Sequence, residues 1–320
     1  MKTKTYLFFA AALFTFAACN FTDENEVTTN DQPSEQVPVT LSAQIADLTR
    51  ANADSSLNYQ YIANNSNVTV RISAANASVY TDYVYMTTST PGQLDLPLAP
   101  PYYPTNGNAI KILAYHPAKA NTDRFTLSAG QPTHFTVAND QTTAANYVAS
   151  DLMWSNGVAS VSKTDAVQGL RFVHKLCKIY VKATGVGSVT KIHSIKVKQV
   201  KPTVTFDPAD GTVALDGEAS TTDVTLFSED TAGSGTITEN GVAIIPAQTL
   251  TGSLLEITYS DGGTPAATAY YKVENPGMTF VASKIYHFDL QVSEWEVKGS
   301  NTVTDWGEGT DDSRKIYTEL

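Results

Sequence analysis

Cysteine is scarce in this chain, which has two among its 320 residues. One of them, Cys19, lies at the end of an N-terminal apolar segment, so Cys177 has no partner for an intramolecular disulfide in a mature chain that begins at Cys19. A small disulfide-stapled scaffold is therefore excluded, and the fold must be held by its hydrophobic core. Cys177 stands in an alternating apolar run, which predicts a buried, packed thiol and argues against a reactive nucleophile.

Catalytic motifs are also missing. The sequence contains no HExxH and no GxSxG, and its five histidines show no metal-ligand spacing. The acidic residues Asp207, Asp210, Asp216 and Glu218 could bind calcium, but they lack the spacing of an EF-hand loop and are better explained as hairpin turns. We therefore predict that the protein is not an enzyme, with no catalytic residues, no metal site and no cofactor.

Long stretches with helical periodicity are absent, and short alternating runs rich in Thr, Val and Tyr take their place. Turn signals such as Asn106-Gly107 and Asp210-Gly211 separate these runs. The pattern predicts an all-β fold of stacked hairpins, and the length favours two domains. We place the first at residues 51–163 and the second, with a C-terminal tail, at residues 164–320.

The N-terminus has the features of an export signal. Two lysines precede an apolar run that is too short for a stable membrane anchor, so residues 1–18 are predicted to be a signal peptide. Small residues directly before Cys19 resemble a lipoprotein processing site, although Phe16 stands where an aliphatic residue is usual. We predict lipidation of Cys19 by a fatty acid such as palmitate, which would place the precursor at the outer membrane. The alternative is an ordinary secretory signal with a cysteine at this position by chance.

Charge is distributed unevenly along the chain. The net charge is −11, yet residues 163–201 contain nine Lys or Arg and one acid, Asp165. Lys196 and Lys198 alternate with Ile195 and Val197, as the solvated face of a half-buried strand would. We interpret the basic segment as such a face, which could meet an acidic neighbouring subunit. Export and the acidic overall balance argue against nucleic acid as a partner.

A leader segment, residues 19–50, contains one clear strand. Apolar residues occupy every second position and predict one buried face: Val37, Val39, Leu41, Ala43 and Ile45. A small, polar stretch follows, with Arg50 and Ala51 in its middle, and such a stretch is typical of an exposed loop that a protease can cut. The sequence thus predicts a core strand that is attached through a cleavable linker.

Motifs along nearly the whole chain resemble those of the fimbrillins, the type V pilins of Gram-negative anaerobes. They are the lipobox at Cys19, Thr49-Arg50-Ala51, Ala114-Tyr115-His116-Pro117, Asp151-Leu152-Met153-Trp154, Phe172-Val173-His174-Lys175-Leu176, Ile245-Pro246-Ala247-Gln248-Thr249 and Asp305-Trp306-Gly307. The resemblance implies two transthyretin-like β-sandwich domains, removal of the leader strand by an Arg-specific protease, and assembly with other pilin subunits by strand exchange into a cell-surface fimbrium that serves in adhesion.

The C-terminal tail is the candidate donor strand, with alternating Ile316, Thr318 and Leu320, although it is short and charged. The Arg50 site argues against an anchor subunit, and stalk and tip remain open alternatives. A surface lipoprotein that binds glycans through the aromatic loop Pro97 to Pro104 is the second functional hypothesis. A host protein or a glycan is the expected partner outside the fimbrium.

Near His174 the apolar phase changes from even to odd positions, which predicts a β-bulge there. The histidine itself is expected to be a hydrogen-bonded structural residue.

Overall fold

The computed structural model describes residues 36–45, 62–90, 92–165, 168–229, 236–261, 266–294 and 296–306. Nearly all of the regular structure in these residues is strand, as the composition predicts. The elements of the first half are β1 (Leu41–Ile45), β2 (Asn67–Ala74), β3 (Thr81–Thr87), β4 (Leu94–Asp95), β5 (Ile110–His116), β6 (Phe125–Ser128), β7 (Gln131–Thr136), α1 (Ala144–Ala149), β8 (Met153–Val161) and β9 (Gln168–His174).

In the second half, the regular elements of the described residues are all strands. They are β10 (Cys177–Gly185), β11 (Lys191–Val200), β12 (Thr203–Asp207), β13 (Thr212–Leu215), β14 (Thr222–Ser228), β15 (Thr238–Ile245), β16 (Thr249–Ser260), β17 (Ala267–Thr279), β18 (Lys284–Val292) and β19 (Val297–Asp305). The prediction of an all-β protein is confirmed.

The first sheet has the strand order β1-β9-β8-β5-β2-β3-β4. Its inner face encloses a core to which β1, β2, β5 and β9 contribute side chains. Strand β9 lies after Lys163, so the sheet continues past the boundary that the sequence suggested. The division into domains at Lys163 stays a prediction.

Eight strands of the second half form two four-stranded sheets, with orders β15-β10-β18-β19 and β14-β11-β16-β17. Their facing side chains make one hydrophobic core that includes Cys177, Ile257 and Phe288. Along β10 and β18, the side chains that enter this core occupy every second position, because alternate residues of a strand point to opposite faces. The arrangement is a β-sandwich.

A smaller sheet, with the order β13-β12-β7-β6, covers a third core between the other two. Tyr115 from the outer face of β5 and Ile244 from the outer face of β15 both enter this core. The rings of Tyr115 and Phe206 meet edge to face with centroids 5.4 Å apart, a favourable aromatic geometry. The third core therefore joins the first sheet to the sandwich.

Candidate functional site

Strand β1 is a core strand of the first sheet. Leu41, Ala43 and Ile45 are 3%, 2% and 8% exposed, and Val39, just before the strand, is fully buried. Val37 is half-buried and packs against the same core. The alternation along this segment places one face in the interior and turns Ser42 and Gln44 to the other face.

Both edges of this segment are hydrogen-bonded. On one side β1 runs parallel to β9, with Leu41 opposite Gln168 and Ile45 opposite Phe172. On the other side, the amide of Ala43 donates to the carbonyl of Gly92 at 2.8 Å, and Ser42 bridges to Gln93. Strand β1 therefore lies between β9 on one side and residues 92–93, which lead into β4, on the other. It thereby connects the β9 end of the sheet to the β4 end.

The aromatic loop continues this second edge. The amide of Val39 donates to the carbonyl of Pro101 at 2.9 Å, and the amide of Tyr103 donates to the carbonyl of Val37 at 3.0 Å. Tyr103 is buried, whereas Tyr102 is 46% exposed. The loop is thus one lip of the groove in which the leader segment lies, and of its two adjacent tyrosines Tyr102 is the exposed one.

A buried hydroxyl also depends on the leader segment. Tyr85 is fully buried, and its hydroxyl donates to the carbonyl of Val39 at 2.7 Å. Burial raises the pKa of Tyr85 above its ordinary value, so the hydroxyl stays protonated and remains a donor. An empty groove would leave this donor without its acceptor, which is costly in a core. The role of Tyr85 in the groove could not be predicted, because a sequence does not show which carbonyl a tyrosine reaches.

The remaining predicted site residues lie outside the described residues. These are the lipidation residue Cys19, the cleavage residues Arg50 and Ala51, and the candidate donor residues Ile316, Thr318 and Leu320. Their roles stay predictions.

His174 is a structural residue, as predicted. Its Nδ1 lies 2.8 Å from a carboxylate oxygen of Asp151, and its ring stacks on Trp306 with centroids 3.7 Å apart. The predicted β-bulge is wrong. Strand β9 pairs with β8 without a register shift through His174, and the chain then passes to another sheet at β10. The apolar phase changes because Phe172 belongs to the first core and Cys177 to the core of the sandwich.

Cys177 is fully buried, and its thiol donates to the carbonyl of Ile245 at 3.1 Å. Burial raises the pKa of Cys177, which disfavours the reactive thiolate. The prediction of a buried, packed thiol is confirmed.

The basic segment is balanced by carboxylates of the same chain. Lys198 contacts Asp223 and lies 2.8 Å from Glu256, whose carboxylate also receives Lys196 at 3.6 Å. Hydrogen bonds to Asp223 and Glu256 raise the pKa of Lys198. The lysines do stand on a solvated strand face, but their acidic partners come from the neighbouring strands β14 and β16, so an acidic second subunit is not needed to balance them.

The acidic cluster forms turns. The side chains of Asp207, Asp210 and Asp216 each accept a hydrogen bond from the backbone amide two residues later. Gly211 has φ +72°, and a Cβ there would lie 2.3 Å from the ring of Trp154. Glycine is therefore required both by the turn and by the aromatic ring above it. Within the described ranges, no group of His, Cys, Asp and Glu is arranged to hold a metal ion.

The chain matches the family described as Fimbrillin-like over residues 49–306, which is more than half of its length. It belongs to this family. No curated protein matches the chain. None of the helices in the described part of the structure is long and apolar enough to span a bilayer.

Solved structures share the fold. A proposed cell adhesion protein from Bacteroides uniformis is 19% identical with a TM-score of 0.60, and the match covers 84% of this chain and 99% of that one. A second, from Bacteroides ovatus, is 13% identical with a TM-score of 0.58, covering 85% and 98%. A third, from Bacteroides fragilis, is 11% identical with a TM-score of 0.50, covering 87% and 100%. Identities this low establish the fold alone.

Proposed function

We propose that the chain is a structural subunit of an adhesive surface fimbrium, exported as a lipoprotein and assembled by exchange of its leader strand. The observation that carries the proposal is the position of the leader segment. Residues 37–45 fill a groove between β9 on one side and residues 92–103, which include most of the aromatic loop, on the other. They are followed in sequence by the linker that contains Arg50. Membership of the Fimbrillin-like family supports the same role.

In this proposal an Arg-specific protease cuts after Arg50, and a strand from another subunit then replaces residues 37–45. The replaced contacts are large. Three large side chains are buried there, Val39, Leu41 and Ile45. At roughly 1.5 to 3 kcal/mol each they give about 4.5 to 9 kcal/mol before the cost of ordering the new strand, and the small Ala43 and the half-buried Val37 add less. A neighbour holds the subunit in proportion to the share of this energy that its own strand recovers.

The tail is the proposed donor, through Ile316, Thr318 and Leu320. A subunit with both a cleavage site and a donor suits a stalk, whereas a tip subunit needs only the groove. The proposal assigns no catalytic step to the chain, in keeping with the structural role that its family supports.

The test compares three forms of the full chain: the native sequence, Arg50→Ala and Arg50→Lys. Each form also carries Arg314→Gln and Lys315→Gln, so that neither protease can remove the donor residues that follow them. Each is treated with an Arg-specific protease, followed by N-terminal sequencing and electron microscopy. We expect the native chain to begin at Ala51 and to form fibres, and both variants to remain intact monomers. Fibres of normal length from uncut Arg50→Ala protein would contradict the proposal.

Arg50→Lys supplies the matched control. A Lys-specific protease cuts this variant at position 50 and should restore assembly, because the fold and groove are unchanged. Failure of the cut Arg50→Lys protein to assemble, beside normal assembly of the native chain, would show that Arg50 acts other than as a cleavage site.

A further inference from the structure

The buried face of β1 contains one small residue between two large ones. Ala43 is 2% exposed and lies opposite Leu170 of β9, which is fully buried. On its other side, the amide of Ala43 is bound to the carbonyl of Gly92 at 2.8 Å. Because protein cores are close-packed, a position that holds a methyl group between such neighbours cannot take a side chain as large as leucine or isoleucine without displacing them.

Backbone hydrogen bonds cannot select a unique register for a strand in this groove. A slip of two residues keeps the same side chains facing inward and presents another carbonyl to the hydroxyl of Tyr85, which now binds Val39. Such a slip does, however, move a large residue to the position of Ala43. The groove therefore distinguishes registers by side-chain size.

We infer that the position of Ala43 sets the register of the replacing strand, and that residues 316–320 of a second copy enter with Thr318 at this position. The inference rests on the proposed strand exchange. Thr318 is the smallest of the three alternating residues in the tail, and it stands between Ile316 and Leu320. In this register Ile316 takes the place of Leu41 and Leu320 takes the place of Ile45, so the order of large, small and large is kept.

In the same register, the tail places a charged residue at a buried position of the groove. Arg314 would fall at the position of Val39, which is fully buried. A guanidinium group is not accommodated there without a partner. The tail therefore fills the groove from the position of Leu41 to that of Ile45, and pairing ends before Arg314. If the tail were instead slipped by two residues, Leu320 would stand at the small position and Arg314 at the half-buried position of Val37.

The restriction on side-chain size at the position of Ala43, here called the size rule, is tested with two leader peptides of identical composition. The full chain is cut after Arg50, and displacement of its leader segment by added peptide is followed by mass spectrometry. One peptide has the native sequence of residues 36–45, and the other carries Leu41→Ala together with Ala43→Leu. We expect the exchanged peptide to need at least about tenfold more concentration for half displacement. Equal displacement by the two peptides would overturn the size rule.

The register of the tail is tested with peptides of residues 312–320 in the same assay. Thr318→Leu should weaken displacement by at least about tenfold, and Thr318→Ala should not weaken it. Arg314→Val should strengthen displacement by about tenfold or more, because a valine would fill the buried position of Val39. Arg314→Gln is the control, since it removes the charge without adding an apolar side chain, and it should change little.

The slipped register makes the opposite prediction. There Thr318 would occupy the place of Leu41, so Thr318→Leu would strengthen displacement and Arg314→Val would have little effect. Either result, or no displacement by the native tail peptide, would overturn the assignment of the tail. These measurements need no fibres, so their outcome is separate from the assembly test with Arg50→Ala.

Discussion

Truncation of Leu41 measures how much the leader strand stabilises the uncut subunit. Leu41 is 3% exposed and belongs to the core of the first sheet. Replacement by alanine removes apolar contacts and leaves a cavity, which costs about 2 to 5 kcal/mol in a packed core. We expect Leu41→Ala to lower the free energy of unfolding by about 3 kcal/mol. Since about 1.4 kcal/mol corresponds to a factor of ten, the leader should leave the groove roughly 100 times more readily after cleavage.

The matched control is Gln44→Ala in the same strand. Gln44 points to the face opposite the core, so its truncation should change stability by no more than about 0.5 kcal/mol. Urea unfolding of the uncut chain measures the stability, and the release of the leader after cleavage at Arg50 is followed by size-exclusion chromatography. If Leu41→Ala were as stable as the native chain, or if Gln44→Ala lost as much, β1 would not be the core strand described above.

Three further outcomes follow from the structure. Trypsin at low dose should cut after Arg50 before Arg71, which is buried and paired with Asp82, and mass spectrometry showing an earlier internal cut would contradict this. Cys177→Ala should assemble normally and lose about 1 to 2 kcal/mol in urea unfolding, whereas loss of assembly in a stable variant would assign a role to the thiol. Burial lowers the pKa of His116 below its ordinary value of 6.5. The unfolded chain thus binds the proton more tightly, stability falls as pH drops below that value, and the melting temperature of His116→Gln should depend less steeply on pH there.

The alternation of the leader segment could be predicted from sequence because a strand with one buried face repeats every two residues. Its partners could not. Strand β9, which pairs with β1, is distant in the chain, and the lip that binds Val39 is an extended loop without a strand pattern. Hydrogen-bond partners so far apart leave no periodic trace in a single sequence. The groove is therefore visible only in the fold.

The phase change near His174 shows a second limit. A bulge and a passage from one sheet to another both move the apolar side chains from even to odd positions. The two cases differ only in which core receives Phe172 and which receives Cys177, and this is a matter of tertiary packing. A hydrogen bond of His174 was predicted, although its partner Asp151 was not. The stacking of His174 on Trp306 could not be predicted, because it depends on where β19 brings Trp306 in the fold.

Proteolysis alone does not empty the groove. Cleavage after Arg50 removes the covalent link between the leader and the rest of the chain, but it leaves the hydrogen bonds on both edges and the buried side chains of β1 intact. The three large buried side chains alone contribute about 4.5 to 9 kcal/mol before ordering costs, so the cut leader should remain bound. Withdrawal would also leave the hydroxyl of Tyr85 without an acceptor. A replacing strand that enters stepwise limits the exposed area of the groove, since each new residue at the positions of Leu41 to Ile45 takes over the contacts of the one it displaces. Within the proposed function, the cut subunit is therefore a stable monomer, and a competing strand determines when it polymerises.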